Sequence, residues 1–157
     1  MTRQDHACPR MLSYRPPRIA MSLLLLASVF ELALPILSAP LPAAPLGGGL
    51  LAVLGCCVML RAWWLFRTRE TAICPTATTT ALITNDIYRL TRNPMYLGIA
   101  LMLLGPAVAT GGLAYYLAAL AFWLIIEFVF CPYEEAKLER DFHTEFDQYR
   151  NRVRRWL

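Results

Sequence analysis

Long apolar runs alternate along this chain with short, densely charged blocks. Residues 32–60 and 93–126 contain no Asp, Glu, Lys or Arg, whereas about 20 apolar residues already span a bilayer core. The first run predicts a helix over 19–37, from Ile19 to Leu37, preceded by Arg10, Arg15 and Arg18. Alone it would resemble a secretory signal, but it is too long and is followed by too much further hydrophobic sequence. Glu31 interrupts it, and a carboxylate facing lipid is costly, so this side chain is expected to face other helices or to reach headgroups at the membrane boundary. From Ser38 to Gly49 come Pro40, Pro42, Pro45 and the triplet Gly47, Gly48 and Gly49, a combination that predicts a turn made without any charge.

A second helix is predicted over 50–66. Near its end Arg61 lies beside Trp63 and Trp64, which suits a guanidinium snorkelling to an aromatic interface or turned into a pocket. Residues 67–92 are too polar to cross lipid, since their backbone groups would lack partners there. They predict a connecting loop with, at most, a short interfacial helix. Asn93 followed by Pro94 then reads as an N-cap and first helical residue, opening a hairpin of two apolar helices over 93–131. Its first arm ends near Thr110 to Gly112, is short for a full crossing, and contains Gly105 and Pro106; its second holds Trp123 and, near the end, Glu127. Over 132–157 the chain is highly charged, yet Leu138, Phe142, Phe146, Tyr149, Val153 and Trp156 recur at helical spacing, the pattern of an amphipathic helix. The fold class expected is therefore all-α: one membrane-embedded domain over 1–157, an integral membrane protein with about four transmembrane helices and a C-terminal amphipathic helical tail.

Composition agrees with this. Of 157 residues, 57% are hydrophobic and 17% charged, which argues against a disordered chain, a disulfide-stapled secreted module or a free nucleic-acid binder. The net charge of +4 arises from basic residues placed beside apolar segments, not interleaved as on a base-reading surface. Apart from Arg61, the Lys and Arg residues lie before the first helix, in 67–92 or in the tail. Both termini are thus expected on the cytoplasmic side of an inner or plasma membrane. Cys8, Cys56, Cys57, Cys74 and Cys131 show no C-x-x-C pair and no zinc-like spacing to His6 or His143, so they read as free thiols and no metal is expected.

This topology gathers the 86–93 loop and the tail at one face. Amides at the start of the third helix, reinforced by Arg92, favour an anionic group, while Glu134 and Glu135 can receive donors or face a cation. The run Asp86-Ile87-Tyr88-Arg89-Leu90-Thr91-Arg92-Asn93-Pro94-Met95-Tyr96-Leu97-Gly98, followed by Glu134-Glu135-Ala136-Lys137-Leu138, Phe142, Tyr149, Val153 and Arg155, resembles the signature of the membrane methyltransferases typified by isoprenylcysteine carboxyl methyltransferase and the phospholipid methyltransferases. Asn93 stands where that pattern has His, Asp86 and His143 where it has Gly, and Phe146 where it has Tyr. The resemblance covers about residues 82–155. It implies an S-adenosylmethionine-dependent enzyme that methylates a lipophilic small molecule or lipid arriving from the bilayer: a carboxylate, as in isoprenylcysteine O-methylation, or alternatively an amine of a phospholipid or other hydrophobic acceptor. A non-catalytic membrane scaffold is the reading from a different class.

By the same resemblance, catalytic roles fall on Arg92, Glu134 and Glu135. Cofactor binding falls on Tyr88, Arg92, Asn93, Pro94, Tyr96, Leu97, Gly98, Glu134, Glu135, Tyr149 and Arg155. On the residues alone, several have simpler uses: Asn93 and Pro94 as a helix start, Tyr96 as an interfacial anchor, Gly98 for close packing, Tyr149 on the amphipathic face and Arg155 as a lipid-phosphate contact. His143 reads as surface-facing.

Overall fold

The computed structural model describes residues 16–33, 41–68 and 82–157, and regular structure among them is entirely helical. Helices α1 (Pro16–Ala33), α2 (Pro45–Thr68), α3 (Pro94–Thr110), α4 (Leu113–Ile125) and α5 (Cys131–Arg152) follow in order, with a 3-10 turn at Asp86–Arg89 and a π-helical turn at Ile126–Phe130. The basic residues before Pro16, the end of the first predicted helix beyond Ala33, Cys8, Cys74 and the Thr-rich part of the 67–92 segment lie outside the described residues. Three helical stretches, Pro16–Ala33, Pro45–Thr68 and Leu113–Arg152, are long and apolar enough to cross a membrane, and α3 is a shorter apolar helix. The protein is a multi-pass membrane protein with three to four such helices. Its outward faces agree: Leu25, Leu26, Val29 and Leu32 on α1, Leu50, Val53 and Leu54 on α2, and Leu117 and Leu120 on α4 are all more than half exposed. In water each would forgo burial at about 25 cal/mol per Å²; in lipid that cost disappears.

Backbone proximity joins α2 to α3. A Cβ on Gly55 would lie 2.5 Å from the Gly98 carbonyl oxygen, and one on Gly98 would lie 2.6 Å from that of Gly55. About two turns away along each helix, Gly48 and Gly105 repeat the approach, a Cβ on Gly48 meeting the Gly105 carbonyl oxygen at 2.4 Å. Small residues permit this because apolar side chains gain little by leaving lipid, so association depends on close packing. The glycine triplet expected to form a turn is instead inside α2, which begins at Pro45 rather than at Leu50. Interhelical approach at Gly48 outweighs the intrinsic helix cost of glycine, about 1 kcal/mol. Ahead of α2, the Leu41 amide donates to the Gly111 carbonyl at 2.9 Å and the Ala44 amide to that of Val108 at 2.8 Å, tying this connection to the end of α3.

Helix α1 packs on α4. Glu31 faces another helix, its Oε1 accepting the Ala114 amide N–H at 2.9 Å. The carboxylate thus meets the positive end of the α4 dipole. Near it the Tyr115 hydroxyl donates to Ser28 Oγ at 3.3 Å.

The expected break at Pro132 does not occur. Helical backbone continues from Leu113 through Pro132 as far as Phe142, about 45 Å at 1.5 Å per residue, longer than a hydrocarbon core. The charged segment thus begins as a continuation of the last apolar helix. Pro132 follows directly on the π-helical turn, where the hydrogen-bond ladder is already shifted, so its missing N–H interrupts less. At His143 the backbone turns non-helical, with φ 40° and ψ −114°. Beyond this kink Phe146 and Tyr149 pack with Ala62 and Leu65 of α2 and with Ile83 and Tyr88. The apolar face of the last segment thus covers helix ends. A second cluster, centred on Tyr96, Ile99 and Leu103 of α3 with Phe122, Ile126 and Phe130, forms the core between the crossings.

Candidate functional site

The start of α3 and the chain's last residues are laced together. The Arg92 amide donates to the Arg154 carbonyl at 3.0 Å, and Thr91 Oγ1 donates to the Arg155 carbonyl at 2.7 Å. Asn93 departs from the expected cap: its side chain makes no capping bond to α3. Its Nδ2 points instead toward the Arg155 carbonyl at 3.4 Å, while its own amide donates to Thr91 Oγ1 at 3.2 Å. The Asn93 carbonyl accepts from the Leu97 amide at 3.0 Å, so the helix still begins at Pro94.

This lacing delivers Arg155 into an alternating ion network. Arg155 Nε and Nη2 donate to Glu135 Oε1 and Oε2 at 2.9 and 2.6 Å. Arg155 Nη1 reaches Glu127 Oε1 at 2.5 Å, and Trp156 Nε1 donates to Glu127 Oε2 at 2.7 Å. Glu135 Oε1 also meets Arg92 Nη2 at 3.0 Å. One turn of helix separates Glu127 from Cys131, and another brings Glu134 and Glu135, so one continuous helix supplies all three carboxylates. Hydrogen bonding to Glu135 raises the Arg155 guanidinium above its ordinary range. Burial lowers that of Arg92, with Glu135 opposing the shift. Arginine remains a cation in either case.

Two donors of this network stay unsatisfied. Arg92 Nε and Nη1 are buried and, among the described residues, meet no hydrogen-bond partner. A buried charged donor left unpaired forgoes about 1–3 kcal/mol or more, so each of these two N–H groups would gain from an acceptor. Close by, the Tyr96 hydroxyl donates to Glu134 Oε1. The paired glutamates therefore differ: Glu135 lies between two arginines, whereas Glu134 accepts from the Tyr96 hydroxyl and feels the charge of Lys137.

The structure brings together Arg92, Asn93, Tyr96, Glu134, Glu135 and Arg155. It places five other sequence candidates elsewhere. Gly98 faces Gly55 and Met59 on α2. Tyr149 lies in the apolar cluster and donates to the Tyr88 carbonyl at 2.7 Å. Tyr88 stacks obliquely on Phe66 with ring centroids 5.8 Å apart, and burial holds its hydroxyl above the ordinary phenol range. Pro94 is fully buried as the first residue of α3. Leu97 is half-buried on the next turn. Thr91, Glu127 and Trp156 belong to the network and were not singled out for it. Only Glu127 carried a sequence signal, as the first charge after the uncharged stretch 93–126.

Arg61, at the membrane-exit end of α2, pairs with Asp86, Nε donating to Oδ1 at 3.2 Å. This hydrogen bonding holds the Asp86 carboxyl below the usual range. Among the described residues no group of three His, Cys, Asp or Glu side chains gathers to hold a metal ion. A protein-family model described as "Phospholipid methyltransferase" matches residues 44–145, from just before α2 to late in α5. No curated protein and no solved structure matches the chain.

Proposed function

Because the chain belongs to the phospholipid methyltransferase family, whose members use S-adenosylmethionine on membrane-associated substrates, we propose that it methylates a lipophilic amine presented from the bilayer at the Arg92–Glu134 face. The unsatisfied Nε and Nη1 donors of Arg92 are the observation that carries this reading. S-adenosylmethionine bears a carboxylate, and either of these N–H groups offers it a charge-assisted donor. The residues present therefore fit the cofactor. When bound, the cofactor supplies a methyl group on a positively charged sulfur.

Around it the protein has three tasks. Arg92 fixes the donor's carboxylate and thus its orientation, the largest contribution available when a reaction needs mainly alignment. Glu135 and Arg155 hold the Arg92 guanidinium in place. Glu134, steadied by the Tyr96 hydroxyl, accepts the proton that the acceptor nitrogen sheds as it takes up the methyl group. Asn93 supports the same face through the Arg155 carbonyl; it has no titratable ring, and this assignment asks for none. The basic segments beside the crossings support a cytoplasmic orientation for this face.

An amine acceptor is favoured over the isoprenylcysteine-like carboxylate by the charge balance. Arg155 is committed to Glu127 and Glu135, so once Arg92 holds the cofactor no guanidinium of the network is left for a second carboxylate. The test is methyl transfer in vesicles holding either a primary-amine phospholipid or a prenylated cysteine. Base-stable methylated amine is expected, with kcat lowered at least about 100-fold in Glu134→Gln. A base-labile ester would reassign the acceptor, and transfer to neither substrate would contradict the enzymatic reading.

A further inference from the structure

Glu127 sits at the end of the last crossing, in the π-helical turn, with uncharged residues for the whole of 93–126 before it. A carboxylate at such a depth is tolerated when it is fully paired. Both of its oxygens are used, one by Arg155 Nη1 and the other by Trp156 Nε1, and both partners come from the last three residues of the chain. The Trp156 ring also packs on Trp123, with centroids 6.3 Å apart, one helical turn before Glu127 on the same helix. The π-helical turn is the feature that sets the direction of this side chain, since an inserted residue rotates the helix face.

We infer that Glu127 is a positioning residue: it anchors the C-terminal strap Val153–Leu157 and, through Arg155 and Glu135, sets the orientation of the Arg92 guanidinium with its unpartnered Nε and Nη1. The chain of contacts is continuous. Trp156 and Arg155 end on Glu127, Arg155 grips Glu135 bidentately, Glu135 holds Arg92 Nη2, and the strap backbone fixes Arg92 from behind through the Arg154 carbonyl. Negative and positive charges alternate along it, so removing the terminal carboxylate leaves Arg155 with one anchor instead of two and frees the strap to peel away. Glu127 itself touches neither cofactor nor acceptor; it acts on cofactor affinity and not on the proton transfer. This inference rests on the reading that Arg92 holds the cofactor.

The experiment is hydrogen–deuterium exchange on the full chain in detergent without ligand, for the unaltered protein and for Glu127→Ala, Glu127→Gln and Trp156→Phe. Amides within 91–93 and 153–157 should exchange roughly tenfold faster in Glu127→Ala, less so in Glu127→Gln, whose amide carbonyl still accepts one bond. Trp156→Phe removes a single donor without disturbing the crossing and should show a smaller change in the same two segments. In parallel, Glu127→Ala should raise the KM for S-adenosylmethionine about tenfold with kcat within about twofold, the signature of lost uniform binding, and Glu127→Gln should recover part of it. Unchanged exchange in 91–93 and 153–157 overturns the inference. So does loss of protection throughout α2 and α3, which would make Glu127 a general determinant of the fold. A strap that loosens as expected in a protein with no saturable S-adenosylmethionine binding would support the anchor and sink the functional reading instead.

Discussion

Asp86 and His143 carry φ of 58° and 40°, and they are the two positions at which this chain replaces a glycine of the resembled methyltransferase pattern. The backbone keeps a path that suits glycine while the side chains have changed. Asp tolerates the left-handed region better than most residues, and here it gains Arg61 as a partner. His143 is exposed, and no such compensation offsets its φ 40°, ψ −114°, a region costing about 1–3 kcal/mol for a residue with a Cβ. His143→Gly should therefore stabilise the protein by about 1 kcal/mol, read as a higher unfolding midpoint in detergent; a lower one would show that the kink is unstrained. At this scale much of the site was legible. Arg92, Glu134 and Glu135 stood out as charges beside apolar runs, whereas Arg155, which alone reads as a lipid-phosphate contact, became a candidate only through the resemblance. Their division of labour was not legible, because it depends on which guanidinium reaches which carboxylate across 20 or more residues of chain. Tyr88 and Tyr149 were cofactor-binding candidates by the resemblance, and only packing reveals that they share an apolar cluster and a hydrogen bond with each other.

The element that positions the site most firmly is the α2–α3 pair. Gly55 and Gly98 bring the two backbones together just inside the membrane from Arg92, so the pitch of α3 against α2 aims Tyr96 toward Glu134. Gly55→Ala puts a methyl group 2.5 Å from the Gly98 carbonyl, where backbone and not a flexible side chain must yield. It should destabilise by about 1–3 kcal/mol, whereas Gly49→Ala, with open space around its Cβ, should be neutral or slightly stabilising; equal effects in a denaturant titration would refute the close contact. The order of helices followed from the hydrophobic runs, since crossing lengths are set by the bilayer. Their ends were harder. Three consecutive glycines read locally as a turn, and only the opposing Gly105 and Ala109 explain why they are helical. The continuation through Pro132 was hidden for a related reason: the π-helical turn that accommodates the proline has no signature in residue type.

At the scale of the whole molecule the two ends have different chemistry. One end is closed by economical polar contacts: Glu31 on the start of α4, and the Leu41 and Ala44 amides on the end of α3. The opposite end gathers Arg61, Asp86, Arg92, Glu127, Glu134, Glu135 and Arg155, with the last segment of the chain folded back over it. A charged face held at the edge of a hydrocarbon slab suits a reaction between a polar donor from water and an acceptor anchored in lipid, because each reactant stays in its own solvent until they meet. The central claim is that the unpartnered N–H groups of Arg92 bind the methyl donor. Its most direct test is calorimetric titration of folded, detergent-purified protein with S-adenosylmethionine, comparing the unaltered chain with Arg92→Gln. Saturable binding at one site per chain is predicted, weakened about 30-fold by the substitution, as the loss of about 2 kcal/mol of charge-assisted bonding requires. Absence of binding by the unaltered chain, or equal affinity in Arg92→Gln, would contradict it.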